Sequence, residues 1–222
     1  LRWRWALAAV TSAPNPACFF PPKGQPPSVT IVGRKALIAV LTSKDKANPA
    51  GELVVLDLAR KAIDKVCDLG GQPDSVAASR DKKFLAVVIE NERDEDKDKG
   101  KIPQLPGGNL TVLPLAADGV DCAGKKVVDL TGLSAIAPED PEPEFVDING
   151  RNEAIVSLQE NNHLAIVDLA SGKVVKHFPA GVVTLDKVDA KRDGVIALNG
   201  RIEGVKREPD TVQWIDDERF LT

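Results

Sequence analysis

One short signature occurs four times in the chain, and its recurrence limits the available folds more than any other feature. An amide or acid precedes a Pro, and a Val stands three places after that Pro. The copies are Gln25-Pro26-Pro27-Ser28-Val29, Gln72-Pro73-Asp74-Ser75-Val76, Glu142-Pro143-Glu144-Phe145-Val146 and Glu208-Pro209-Asp210-Thr211-Val212. Each opens a short strand-like run and then a polar turn, such as Gly33-Arg34-Lys35 or Gly150-Arg151-Asn152. A second apolar run follows: Ala36 to Leu41, Phe84 to Ile89, Ala154 to Leu158, and Phe220 onward. Third runs come at Leu53 to Leu58, Leu110 to Leu115 and Leu164 to Leu169, and fourth runs at Lys61 to Val66, Lys125 to Leu130 and Lys173 to Phe178. Glu-Asn closes the second run at Glu90-Asn91 and Glu160-Asn161, each pair equally far from its leading Val.

Each full unit therefore reads as a four-stranded antiparallel meander. The leading prolines are spaced by 47, 70 and 66 residues; the first is a blade length and the others require insertions. The expected fold is all-β: a partial β-propeller of about three blades plus the start of a fourth, an incomplete ring. A β-sandwich built from similar hairpins would not require Pro, turn, strand order and Glu-Asn to recur together. The units run over 25–70, 71–141, 142–207 and 208–222, the last incomplete, after an N-terminal segment, 1–24, with no blade pattern. That segment, with Arg2 and Arg4 ahead of a short apolar stretch, reads as a linker or damaged blade rather than a signal remnant. Residues 91–109 read as an insertion, and 180–207 as an elaborated connection in which Val195 to Leu198 resembles a strand. Three blades and a part do not protect their edges, so the expectation is a segment of a longer chain.

Basic and acidic residues nearly balance, 29 against 33, with no basic stripe, which argues against a nucleic-acid partner. No run of about 18 apolar residues is present, so no transmembrane segment is expected. The cysteines, Cys18, Cys67 and Cys122, are odd in number; a Cys67–Cys122 bridge and three unpaired thiols are both open readings.

Strand direction alternates in a meander, so the loop before a first strand and the loop after a second strand share one face. That inference gathers Gln72, Asp74, Glu142, Glu144, Arg207, Glu208 and Asp210 with Glu90, Asn91, Glu160, Asn161 and Asn162 around the mouth of the central channel. His163 begins a third strand close to Glu160 and joins this ligand face as a candidate. Converging carboxylates suit a hard cation such as calcium, which takes six to eight oxygens, or a basic ligand, or acid–base chemistry. The competing reading is that such Asp and Asn side chains only satisfy turn N–H groups. Glu92, Asp94, Asp96 and Asp98 form a weaker metal candidate. The run from Asp94 puts Gly100 at the seventh place and Leu105 at the twelfth, where a calcium loop needs Gly at the sixth and Glu at the twelfth. A solvated charged loop is the better reading. G-x-S-x-G, P-loop and H-E-x-x-H motifs are absent, and the two histidines, His163 and His177, assemble no Ser-His-Asp triad; His177 reads as structural, on an outer strand.

Several phrases resemble a bacterial family. They are Gly71 to Ala77, Phe84 through Asp96, Pro103-Gln104-Leu105-Pro106-Gly107, Glu142 to Val146, Leu158 to Asn162 and Arg207 to Trp214. They resemble exported β-propeller proteins known as esterase-like phytases, together with the related choice-of-anchor and alkaline-phosphatase-like propellers with YVTN-type blades. The resemblance covers about residues 70–222, extends to 25–70 only at blade level, and does not reach 1–24. It implies export and hydrolysis of a small phosphoester or ester substrate; calcium remains the candidate cofactor that the converging carboxylates suggest. The alternative it carries is a non-catalytic scaffold for a protein ligand. It transfers no catalytic residue onto this chain.

Overall fold

The computed structural model describes residues 24–116 and 119–222. The segment 1–23, with Cys18, and the pair 117–118 lie outside the described residues. Seventeen strands are present among the described residues. β1 (Gln25–Val32), β2 (Lys35–Leu41), β3 (Gly51–Asp57) and β4 (Ala62–Asp68) form the first sheet, paired in sequence order. β5 (Pro73–Ala78), β6 (Phe84–Ile89) and β7 (Asn109–Ala116) begin the second. Its outer edge is split into β8 (Gly119–Val120) and β9 (Lys126–Asp129), both paired with β7. β10 (Pro143–Ile148), β11 (Glu153–Leu158), β12 (His163–Asp168) and β13 (Lys173–Pro179) form the third. A separate hairpin, β14 (Val182–Val188) and β15 (Gly200–Lys206), precedes β16 (Gln213–Trp214) and β17 (Phe220–Leu221).

Every pairing is antiparallel between neighbours, and the first strands touch each other from sheet to sheet: β1 meets β5, β5 meets β10, and β10 meets β16. Sheets standing side by side with their first strands innermost are the blades of a β-propeller. The first and third blades are four-stranded, the second fills its outer position with β8 and β9, and two short strands begin a fourth.

The recurrent Pro-x-x-Val now has a structural cause. The register of each of the first three innermost strands slips just after its signature begins, between Gln25 and Ser28, Pro73 and Val76, and Pro143 and Phe145. Pro cannot donate to the ladder, so it sits where a bulge makes no such demand. A hydroxyl takes up an N–H that the irregular ladder leaves over: Ser28 Oγ accepts from Val76 at 3.1 Å, and Ser157 Oγ from Phe145 at 3.1 Å.

Middle strands are apolar on both faces because each blade is covered on both sides. Leu37, Ala39, Leu53 and Val55 pack against Val76, Leu85, Val87 and Ile89 between the first two blades. Ala86, Val88, Leu110 and Val112 pack against Val146, Ala154, Val156 and Ala165 between the next two. Ile155 and Leu164 meet Val212 and Trp214 at the start of the fourth. Outer strands β4 and β13 are largely exposed and mix charged with apolar residues.

Cys67 and Cys122 form a disulfide from the outer strand of the first blade to the loop between β8 and β9, so the open choice between bridge and free thiols resolves to the bridge. It closes a sequence separation of 55 residues, for which chain entropy gives about 4 kcal/mol of stabilisation. A C67S/C122S protein is expected to lose about 2–4 kcal/mol in urea unfolding; an unchanged midpoint would show that the bridge does not form in solution.

The stretch 180–207 departs from expectation. Val195 to Leu198 belongs to no strand and is largely exposed; the strands are instead β14 and β15, with these residues in the connection between them. A short apolar run makes a strand only where a partner edge accepts it, and β14 and β15 pair with each other.

Candidate functional site at the channel mouth

The first strands of the four blades line a cleft of about 580 Å³ that includes Thr30, Val76, Phe145, Asp147 and Gln213. Asp74 and Glu144 stand at the starts of β5 and β10, at one end of this cleft. Glu90 follows β6 directly. The meander brings the three together: one carboxylate oxygen from each lies within 4.8 Å of the others. This is the one group of three metal-competent acids, histidines or cysteines among the described residues.

All three side chains are partly buried, and the site raises their proton affinity. Burial pushes Asp74 up to about 6, with the charges of Asp210 and Glu92 adding to it. Burial, then Glu144 and Asp74, pushes Glu90 well above the usual carboxylate range. Burial, then Asp74 and Asp210, does the same to Glu144. Glu142 is pushed up to about 7 by burial, against the N–H and guanidinium of Arg93, with Asp140 and Glu160 adding. Gln72 directs its amide into the group, donating to Glu90 at 3.4 Å and to Glu92 at 3.5 Å.

The other residues expected on this face take different places. Asn91 and Asn161 are clamps. Asn91 Oδ1 accepts from the Gln72 N–H at 2.9 Å, and its amide donates to the carbonyls of Pro106 and Gly107. Asn161 repeats this one blade later: it accepts from the Glu142 N–H at 2.8 Å and donates to the carbonyls of Ile136, Ala137 and Asp140. The recurrent Glu-Asn therefore couples a carboxylate on the face to an amide that ties the second strand to the next loop. Asn162 donates to the carbonyls of Gly181 and Arg207. Glu160, Arg207, Glu208 and Asp210 lie toward solvent; Glu160 and Asp210 act on the buried acids through their charge. His163 turns away from the acids, and its Nε2 meets His177 Nδ1 at 2.9 Å.

The weaker metal candidates do not converge. Glu92 pairs with Lys46 at 2.7 Å, Asp94 binds Gln104 through its main chain, and Asp96 and Asp98 are exposed around a short 3-10 turn, Lys97–Lys99.

Sequence reasoning missed Arg93, which docks the insertion. Its Nε donates to Asp140 Oδ2 at 2.9 Å, its Nη1 pairs with Glu142 Oε2 at 2.9 Å, and its N–H donates to Glu142 Oε1 at 2.7 Å. Asp140 is fully buried, and it also accepts from the Gln104 N–H at 2.8 Å. The available signal was a single arginine among the six acids between Glu90 and Asp98. The insertion returns to the blade at Gly108, where a side chain would meet the Ile89 and Glu90 carbonyls and the Pro143 ring.

A comparison with curated proteins finds no match. Among solved structures, the chain is similar to the Myceliophteria thermophila Cps50 (Swd1) β-propeller domain, at 13% identity and a TM-score of 0.48, over 86% of this chain and 47% of that one. It is similar to Kuenenia stuttgartiensis hydrazine synthase, at 15% identity and a TM-score of 0.49, over 84% and 51%. It is also similar to the β-propeller domain of the trilobed protease from Pyrococcus furiosus, at 10% identity and a TM-score of 0.43, over 74% and 46%. The chain spans about half the length of these structures. Residues 11–219 match the Choice-of-anchor I domain, which extends the resemblance through the first blade and into the N-terminal segment. The blade architecture and this match over nearly the whole sequence agree: the chain belongs to the Choice-of-anchor I domain family.

Proposed function

We propose that the chain is the propeller portion of an exported hydrolase of the esterase-like phytase kind, acting on small phosphoesters, with a calcium ion held at the channel mouth by Asp74, Glu90 and Glu144. The convergence of three carboxylate oxygens within 4.8 Å carries this reading. Oxygens on opposite sides of a calcium ion lie about 4.6–5.2 Å apart, and all-oxygen donor sets suit hard cations. A bound calcium ion would neutralise the clustered acids and supply the positive charge that draws a phosphate oxygen to the cleft.

The chain's own residues prepare the site. Gln72 holds Glu90 and Glu92 by its amide, and Asn91 and Asn161 fix the backbone from which Gln72 and Glu142 project. Asp74 and Glu144 remain partly shielded from water at the blade starts. The two histidines bond to each other, so neither is oriented by a carboxylate as a serine triad requires. Export is supported by the Cys67–Cys122 disulfide, a bond that persists in oxidising compartments. Among the described residues, no helix is long and apolar enough to cross a membrane.

The test uses the natural full-length protein with p-nitrophenyl phosphate and inositol phosphates. Chelation, or E90Q/E144Q, is expected to lower turnover by at least a hundredfold, with recovery on adding calcium only to the unsubstituted protein. Full turnover in E90Q/E144Q would refute the reading. Absence of turnover in the unsubstituted protein, with calcium binding retained, would favour a binding propeller.

A further inference from the structure

The two histidines form a second constellation, built from nitrogen donors and separate from the carboxylates. His163 opens β12 and His177 lies on β13, in adjacent antiparallel strands. Ala165 faces His177 in the register, so the two imidazoles stand diagonally across the pair. His163 Nε2 and His177 Nδ1 lie 2.9 Å apart, and the ring centroids 5.2 Å. His163 is only 5% exposed, whereas His177 opens to solvent. Among the described residues, neither ring bonds to a carboxylate. Burial, followed by the facing His177, lowers the proton affinity of His163, so protons compete weakly for it near neutral pH.

We infer that His163 and His177 form a bidentate site for a late first-row divalent cation, zinc or copper, on the outer part of the third blade. Metal–imidazole bonds are about 2.0–2.1 Å long, so a tetrahedral ion needs its two nitrogens about 3.3 Å apart. The pair must open by only a few tenths of an ångström, and the exposed His177 side chain has room to move. Neutral imidazole prefers such ions to calcium, and solvent completes the coordination. No net proton is released: each neutral ring keeps one. The proton now shared between the rings moves to the far nitrogen of its own ring, His163 Nδ1 or His177 Nε2, and both rings turn so that the freed lone pairs converge on an ion to one side of the N···N line. The strand pairing of β12 and β13 holds the two histidines' backbones at this spacing before the ion arrives.

The inference stands apart from the calcium reading, and the experiment keeps them apart. Chelator-treated protein at pH 7.5 is titrated with zinc alone by calorimetry, in the unsubstituted, E90Q/E144Q, H177Q and H163Q forms. One equivalent is expected in the first two. A loss of at least tenfold in affinity is expected in H177Q, whose exposed side chain can change without disturbing the core, and in H163Q. With copper as the probe, the paramagnetic resonance spectrum should show two coupled nitrogens in the unsubstituted protein and one in H177Q. Unchanged zinc affinity in H177Q, or a copper spectrum with no imidazole coupling, would overturn the assignment. Loss of zinc binding in E90Q/E144Q with H177Q unaffected would place the ion among the carboxylates and overturn it equally.

Discussion

At pH 8, chelator-treated E90Q/E144Q protein should unfold at a higher temperature than the unsubstituted chain while losing its response to calcium. Without a cation, Asp74, Glu90, Glu142 and Glu144 all have folded proton affinities raised above their ordinary values. The folded state therefore holds more protons than the unfolded chain between the two sets of values, and stability falls as pH rises through that window. The contribution is intact below about pH 4. It is lost for Asp74 as pH passes about 6 and for Glu142 as it passes about 7, and Glu90 and Glu144 extend the loss upward. A tenfold change in proton affinity on folding corresponds to about 1.4 kcal/mol before solvent screening reduces it. Two amides at the most strongly raised positions should return roughly 2–3 kcal/mol at pH 8, or about 4–12 °C in a chain of this length. Calcium should raise the melting temperature of the unsubstituted protein at pH 8 and have little effect at pH 5. Thermal scans at both pH values, with and without calcium, check each part. A chelated protein that is more stable at pH 8 than at pH 5 would count against the buried acidic group.

Replacing Arg93 by Met is expected to cost about 3–5 kcal/mol, the usual loss when one partner of a buried ion pair is removed. Asp140 is fully buried and Glu142 nearly so, and Arg93 is the cation bonded to both. One oxygen of Asp140 already accepts from no described protein group, so the carboxylate has little reserve when the guanidinium leaves. Glu142 would also lose the charge that opposes its rise in proton affinity, so the R93M defect should be greater at pH 8 than at pH 5. Urea unfolding at the two pH values reads this directly. Limited proteolysis provides a second measure, since cleavage between Asp94 and Lys101 should accelerate once the insertion loses its anchor. An R93M protein with an unchanged urea midpoint would mean that the insertion holds its place by other contacts.

The blade pattern was legible because it is written at short range. Pro-x-x-Val records a bulge, and the doubly apolar middle strands record burial on both faces. Strand direction in a propeller places Asp74, Glu90 and Glu144 at one end of the sheets among a dozen candidates, but it does not single out these three, whose convergence depends on side-chain placement. The division of labour within Glu-Asn was not legible. A carboxylate and an amide adjacent in sequence look equally functional until the Asn91 and Asn161 hydrogen bonds are seen. The Arg93 network joins residues 47 and 49 apart, and no local periodicity encodes a contact of that range. His163 was grouped with the acids by its place after the second strand. The start of β12 carries its ring the other way, toward β13. Val195 to Leu198 failed as a strand because propensity without a partner edge does not make one.

Most of the interior lies between blades, with one smaller cluster, Ala36, Ile38, Val40, Val54 and Leu56, inside the first sheet, and that changes what the repeat can do alone. Leu37 and Leu53 share a core with Val76 and Leu85, and Val88 and Leu110 share one with Val146 and Val156. The cooperative unit is therefore the seam between two sheets, and a blade cut out along the sequence signature would carry two half-interiors and no whole one. A graft or circular permutation that respects this protein would be joined through the middle of a sheet or an exposed insertion. Its modules are offset by half a blade from the repeat that the sequence displays.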